Sequence, residues 1–174
     1  MLKKTNQLAK FLIVSTTILV GVTLNGAFLS SKPLESLGHM KSFSLPSLNG
    51  NGSISSESLK EKVVLIDFWA SWCIPCKASF PAYNTLYKKY KDKGFEIIGI
   101  NIDDNKDKAL EFLSNNPAEF TILSDAEKKT AESYGLPTMP VSYLIDRSGN
   151  IVYVNKGFHE EDISKIEEKI KDVL

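Results

Sequence analysis

The sequence predicts an α/β fold: a mixed central sheet flanked by helices, with an added N-terminal hairpin. Three observations point there. Val63 to Trp69 is an almost continuous apolar run, the mark of a strand buried on both faces. Segments of helical spacing alternate with further strand-like runs. Turn signals at Asn49-Gly50-Asn51-Gly52 and Asp146-Arg147-Ser148-Gly149-Asn150 join short runs as hairpins, which makes part of the pairing antiparallel.

In chain order, Phe43 to Leu48 alternates apolar and polar residues and enters the Asn-Gly turn, so two short strands are expected around it. Val63 to Trp69 is the central strand. From Cys76 to Tyr90, the residues Phe80, Tyr83, Leu86, Tyr87 and Tyr90 recur at helical spacing. Pro81 predicts a kink in that helix, and Gly94 closes it. Phe95 to Ile102 is a second strand. Asp103 and Asp104 are expected to cap a helix over 106–114. Phe120 to Leu123 is a short strand, and Ala126 to Tyr134 a helix ended by Gly135. Val141 to Ile145 and Ile151 to Asn155 form the second hairpin. Glu160 to Val173 is the last helix, with Ile163, Ile166, Ile170 and Val173 on one face.

The chain has 174 residues, 43% apolar and 24% charged, which fits one globular domain with a short appendage. Basic and acidic residues balance at 21 each, but unevenly along the chain. Residues 1–41 hold five lysines against Glu35, a net of +4, and the remainder holds 16 basic and 20 acidic residues, a net of −4. A mildly acidic body argues against a nucleic-acid partner.

The positive end flanks an apolar segment. Lys3, Lys4 and Lys10 precede an uncharged run from Phe11 to Leu29, 19 residues long, against about 20 needed to span a bilayer as a helix. Two readings of residues 1–29 stand: a cleaved secretory signal peptide, or an uncleaved membrane anchor. Asn25-Gly26-Ala27 is a weak cleavage site, which favours the anchor. Under either reading positive charge stays cytoplasmic and the rest is exported: anchored to the membrane on its extracytoplasmic (periplasmic) side, or secreted if the signal is cut. Residues 30–42, with Pro33 and Gly38, read as a linker, and 43–174 as the globular domain.

Chemistry concentrates at Trp72-Cys73-Ile74-Pro75-Cys76-Lys77. The two cysteines are the only ones and lie three apart, so a bridge between them closes almost no loop and adds little stability. Their position after a buried strand, at the start of a helix, is reactive. Unpaired N–H groups and the helix dipole favour a thiolate there, making Cys73 the nucleophile. Cys76, at i+3, can reach Cys73 and resolve a mixed disulfide. Pro75 has no N–H to lose in the first turn and stiffens the pair. A half zinc site is the bland alternative, but His39 and His159 lack finger-like spacing to the cysteines.

Asp67 lies in the most apolar stretch of the domain. A buried carboxyl of this kind tends to stay protonated and can exchange a proton with Cys76; at a strand edge it is merely solvated. Thr138-Met139-Pro140 precedes a strand, and the residues alone leave the Met139–Pro140 bond either cis or trans.

Taken together, these segments resemble the thioredoxin superfamily. Asp67 to Lys77 resembles its active-site stretch, buried aspartate included, and Tyr134 to Pro140 resembles the lead-in to its cis-proline. Phe43-Ser44-Leu45, Ser58 to Val64, Phe95 to Asn101 and Ser142 to Gly149 are similar to the exported TlpA/ResA-like branch. Ser79, Thr138 and Val141 depart from that branch, which carries glutamate, glycine and threonine there. The resemblance covers about residues 43–173. It implies a thioredoxin-like fold and a thiol-disulfide oxidoreductase with no metal or organic cofactor. It also implies a cis Pro140 lying against the disulfide, with substrate held by Trp72, Ile74, Pro75, Met139 and Pro140. The implied partners are a disulfide-containing protein, apocytochrome c among the candidates, and a membrane thiol-electron donor.

The expected activity is reduction of protein disulfides through a Cys73/Cys76 cycle. Ile74-Pro75 lacks the histidine that stabilises the thiolate in oxidase-type relatives, so reductase is favoured over oxidase. A thiol peroxidase is a second alternative, disfavoured because Trp72 replaces its threonine-rich context. A non-catalytic chaperone or adaptor is a third, and would keep its activity without either cysteine.

Overall fold

The computed structural model describes residues 37–174. The signal or anchor expected over 1–29, and the first part of the linker, lie outside the described residues. Seven strands and four helices follow in order: β1 (Ser44–Pro46), β2 (Ser53–Ser55), β3 (Val63–Trp69), α1 (Ile74–Tyr90), β4 (Phe95–Asn101), α2 (Lys106–Asn115), β5 (Thr121–Ser124), α3 (Lys129–Tyr134), β6 (Val141–Ile145), β7 (Ile151–Lys156) and α4 (Asp162–Val173). Short 3₁₀ turns at Ser56–Leu59 and Lys91–Lys93 complete the set.

The main sheet has the order β5-β4-β3-β6-β7, with β1 and β2 forming a separate antiparallel pair. β3 runs parallel to β4, and β4 to β5, while β6 is antiparallel to both β3 and β7. The mixed sheet and the added hairpin are as the turn signals predict. β3 lies in the centre, all seven residues buried, which is why its sequence is a continuous apolar run rather than an alternating one.

Side chains alternate across the sheet, so β3 feeds two cores. Val63, Leu65 and Trp69 pack with Phe80, Tyr83 and Leu86 of α1, Ala109 of α2, and Ile166 and Ile170 of α4. Val64, Ile66 and Phe68 face the other way, onto Phe43, Leu59, Ala131 and Tyr143. Asp67 falls on the first face, among the residues that pack against α1.

One position on β4 is fixed by close approach. A Cβ on Gly99 would sit 2.7 Å from Ile122 Cδ1 and 3.2 Å from Trp69 Nε1. Glycine at 99 therefore leaves room for the Trp69 indole to approach the neighbouring strand closely.

Several boundaries differ from expectation, for local reasons. α1 starts at Ile74, two residues before Cys76, because Pro75 fits its first turn and Cys73 takes the N-cap. The helix continues through Pro81 to Tyr90, and Gly94 ends the following 3₁₀ turn. The cap of α2 is Asn105, whose side chain accepts from Asp107 N; Asp103 is drawn into the interior instead. α3 starts at Lys129, held by Asp125, which accepts from the amides of Thr130 and Ala131. α4 starts at Asp162, whose carboxylate accepts from His159 N.

Residues 37–42 belong to the stretch whose composition reads as a linker. Here they are bonded to the domain: Leu37 N donates to Ile151 O, Ile151 N to Gly38 O, and Met40 N to Gly149 O. At the opposite rim, Leu48 N donates to Ile122 O, and the Asn49 amide bonds Phe120 O and accepts from Ile122 N.

Candidate active site

The loop after β3 delivers the cysteines. Ile102 N donates to Trp69 O and Cys73 N to Ala70 O, which turns the chain back sharply before α1. Asp103 fastens the turn from beneath: it accepts from Ser71 N at 2.8 Å, Ser71 Oγ at 2.9 Å and Asn101 Nδ2 at 2.7 Å. Cys73 and Cys76 are joined in a disulfide with an S–S distance of 2.01 Å and a Cα–Cα distance of 5.3 Å. The sulfurs bond each other, the arrangement that dithiol–disulfide exchange requires.

The two sulfurs are unequally placed. Cys73 is 4% exposed at the N-cap of α1, whereas Cys76 is fully buried within its first turns. Trp72 and Ile74, on either side of Cys73, are 64% and 86% exposed, unusual for large apolar side chains. A groove of about 730 Å³ opens on the Ile74 side, lined by Ser71, Cys73, Ile74, Lys77, Lys108 and Phe112 among others.

Sheet register brings the distant residues in. Phe68 pairs with Val141, so Pro140 lies at the end of the sheet from which the cysteine loop departs. The Met139–Pro140 bond is cis, as the resemblance implies, and Gly157 N donates to Pro140 O at 2.8 Å. Pro140 is buried, and Met139 is half-buried and packs against both cores.

Asp67 is fully buried in mid-strand, not at a solvated edge. Its cross-strand neighbours are Gly99 and Ser142. Ser142 Oγ donates to Asp67 Oδ1 at 2.8 Å, while Oδ2 has no hydrogen-bond partner among the described residues. Burial pushes the Asp67 carboxyl from 3.8 up to about 7, and the Ser142 bond opposes that rise. A group titrating near neutrality, on the sheet face that packs against α1, can take up and return a proton.

Four residues of the site escape sequence reasoning: Ser142, Tyr83, Asp103 and Ser71. Ser142 alone leaves a trace, as the one small polar residue in the apolar run of β6.

The Redoxin family model matches residues 37–170. The thiol-disulfide oxidoreductase ResA of Bacillus thuringiensis (strain Al Hakam) is 35% identical over 134 residues, 76% of this chain and 77% of that one. ResA of Bacillus subtilis (strain 168) is 29% identical over 145 residues, 83% of this chain and 80% of that one. Among solved structures, a candidate thiol:disulfide interchange protein DsbE from Chlorobium tepidum shares 38% identity with a TM-score of 0.76, over 80% of this chain and 98% of that one. With its mixed sheet, its cysteine pair at a helix start and these relatives, the chain belongs to the Redoxin family, as a TlpA/ResA-like thiol-disulfide oxidoreductase of the thioredoxin superfamily.

Proposed function

We propose that this protein is an exported reductase of protein disulfides. Two observations carry the reading: Cys73 borders the open groove while Cys76 is enclosed, which makes Cys73 the attacking sulfur, and Ile74-Pro75 puts no thiolate-stabilising histidine between them, which favours reduction over oxidation. In the reduced protein the Cys73 thiolate attacks one sulfur of a substrate disulfide. The substrate S–S bond breaks, and its other sulfur leaves with the electron pair. Cys76 gives its proton to Asp67, and the resulting thiolate attacks Cys73 Sγ. The mixed disulfide breaks, the second substrate sulfur departs reduced, and the Cys73–Cys76 bond remains. Exposed Trp72, Ile74 and Pro75, with half-buried Met139 set by the cis Pro140 behind it, hold the substrate chain against Cys73.

Export is supported by the lysine-flanked apolar run over 11–29, and places the domain on the extracytoplasmic side. That space is oxidising, so the pair needs a membrane thiol-electron donor to restore the dithiol. The substrate class is a disulfide-containing protein, apocytochrome c among the candidates.

Direction is tested by the reduction potential of the pair in the full chain, read through the fluorescence of Trp69 and Trp72. A value at or below about −230 mV, towards the thioredoxin end, supports the reductase. A value near about −120 mV makes the protein an oxidant and reverses the cycle.

A further inference from the structure

Asp67, Ser142 and Tyr83 come from three different elements, β3, β6 and α1, and all three are buried. Ser142 Oγ donates to Asp67 Oδ1 at 2.8 Å, and the Tyr83 hydroxyl lies 2.7 Å from the same Ser142 Oγ. A serine hydroxyl has one hydrogen. Given to Asp67, it leaves Ser142 as acceptor in the second bond and Tyr83 as donor. The chain therefore has a direction, from Tyr83 through Ser142 to Oδ1.

That direction distinguishes the two carboxyl oxygens. A proton on Oδ1 would face the Ser142 hydrogen across 2.8 Å and force both hydroxyls to turn. A proton on Oδ2 disturbs nothing, and Oδ2 is the oxygen with no partner among the described residues. Gly99, across β3 and β4, brings neither a donor nor a charge.

We infer that Ser142 and Tyr83 are positioning residues for Asp67, their hydroxyl chain holding Oδ1 as an acceptor and leaving Oδ2 as the oxygen that exchanges the Cys76 proton. This rests on the reading of Asp67 as the proton partner of Cys76. When the Cys76 S–H bond breaks, its proton goes to Oδ2; the thiolate then displaces the substrate sulfur from Cys73, and the proton returns to that departing thiolate. Both carboxyl states keep the same hydrogen-bond directions, so no side chain rotates between them. The other ionisable groups bearing on the chain are Asp162 of α4 and Tyr153 of β7. Burial above all, then the Asp67 charge, with smaller contributions from these two, holds the Tyr83 hydroxyl well above its ordinary titration range, so it stays a donor.

The test is the titration of Asp67, followed by carboxyl carbon NMR in the full chain and assigned by its loss in Asp67→Asn. Ser142→Ala removes a bond to the charged form, so the Asp67 midpoint is expected to rise by about one pH unit. Tyr83→Phe is expected to give a smaller rise through weaker polarisation of Ser142. Ser142→Thr, which keeps a hydroxyl, is expected to restore the parent value. The pH profile of mixed-disulfide resolution should shift with the midpoint. An unchanged midpoint in folded Ser142→Ala overturns the hydroxyl chain; should that variant fail to fold, an unchanged midpoint in Tyr83→Phe does the same. If Asp67→Asn leaves the resolution profile intact, the role of Asp67 itself falls and the inference with it. If Asp67→Asn removes the profile's inflection while Ser142→Ala leaves the midpoint in place, only the hydroxyl chain falls.

Discussion

Gly99 stands directly opposite Asp67 in the parallel register of β3 and β4. Gly99 thus offers this carboxyl no cation and no side-chain donor. Burial then dominates its titration, opposed by a single serine hydroxyl. The same glycine makes room for the Trp69 indole, so one missing Cβ shapes both the packing and the electrostatics near the cysteines.

The first consequence is a pH-dependent stability. Asp67 titrates at about 7 in the fold against 3.8 when unperturbed. Between those values the folded state holds a proton that the unfolded chain has released. This contribution is complete below pH 3.8 and is lost as pH rises through about 7, a loss on the order of 4 kcal/mol. Asp67→Asn removes the titration. Its melting temperature should exceed the parent's at alkaline pH, and the gap should shrink steadily as the solution is acidified. A gap that stays constant with pH would show that the carboxyl does not titrate in this window.

The two cysteines should fail differently. Cys73→Ala is expected to abolish disulfide reduction. Cys76→Ala keeps the nucleophile but loses the resolving thiol, so a mixed disulfide with the substrate should accumulate on non-reducing gels. Normal turnover by Cys76→Ala would sink the two-cysteine cycle.

Gly99→Ala inserts a methyl 2.7 Å from Ile122 Cδ1 and 3.3 Å from a Phe120 ring carbon. Overpacking of this kind costs about 1–3 kcal/mol. Denaturant unfolding should show the loss, with the Trp69 emission altered in the folded baseline. A variant as stable as the parent would mean that the Ile122 side chain turns aside at little cost.

Asp103→Ala should both weaken the domain and slow exchange. It deletes the acceptor for Ser71 N, Ser71 Oγ and Asn101 Nδ2, leaving the Ile102 N–Trp69 O bond to tie the start of the cysteine loop to the end of β4. A loss of about 1–3 kcal/mol is expected in thermal unfolding, together with a slower reaction with a small disulfide. Retention of the parent rate would make Asp103 a structural residue only.

What the sequence shows plainly is what neighbouring residues decide. The β3 run, the cysteine spacing and the turn at Asp146–Asn150 are local patterns, and each appears where it is expected. What the residues leave open is set by distant partners. Asp103 and Asp104 sit where a helix cap belongs, yet Asn105 is closer in register and Ser71 claims Asp103 from 32 positions away. Ser142 reads as a polar interruption until the sheet brings it to Asp67, 75 positions earlier. The cis bond at Pro140 has no local signature; only the family resemblance implies it.

The segment from Leu37 to Asn49 touches both outer strands of the main sheet. It bonds the start of β7 at one rim and the β5 region at the other. Unpaired strand edges are templates on which a foreign chain can add as a further strand. A proteolytic cut after Ser42 would bare part of one rim, and a cut after Gly52 would bare both. A stretch far from the chemistry thus covers the start of β7 and part of β5, the places where such an addition would begin.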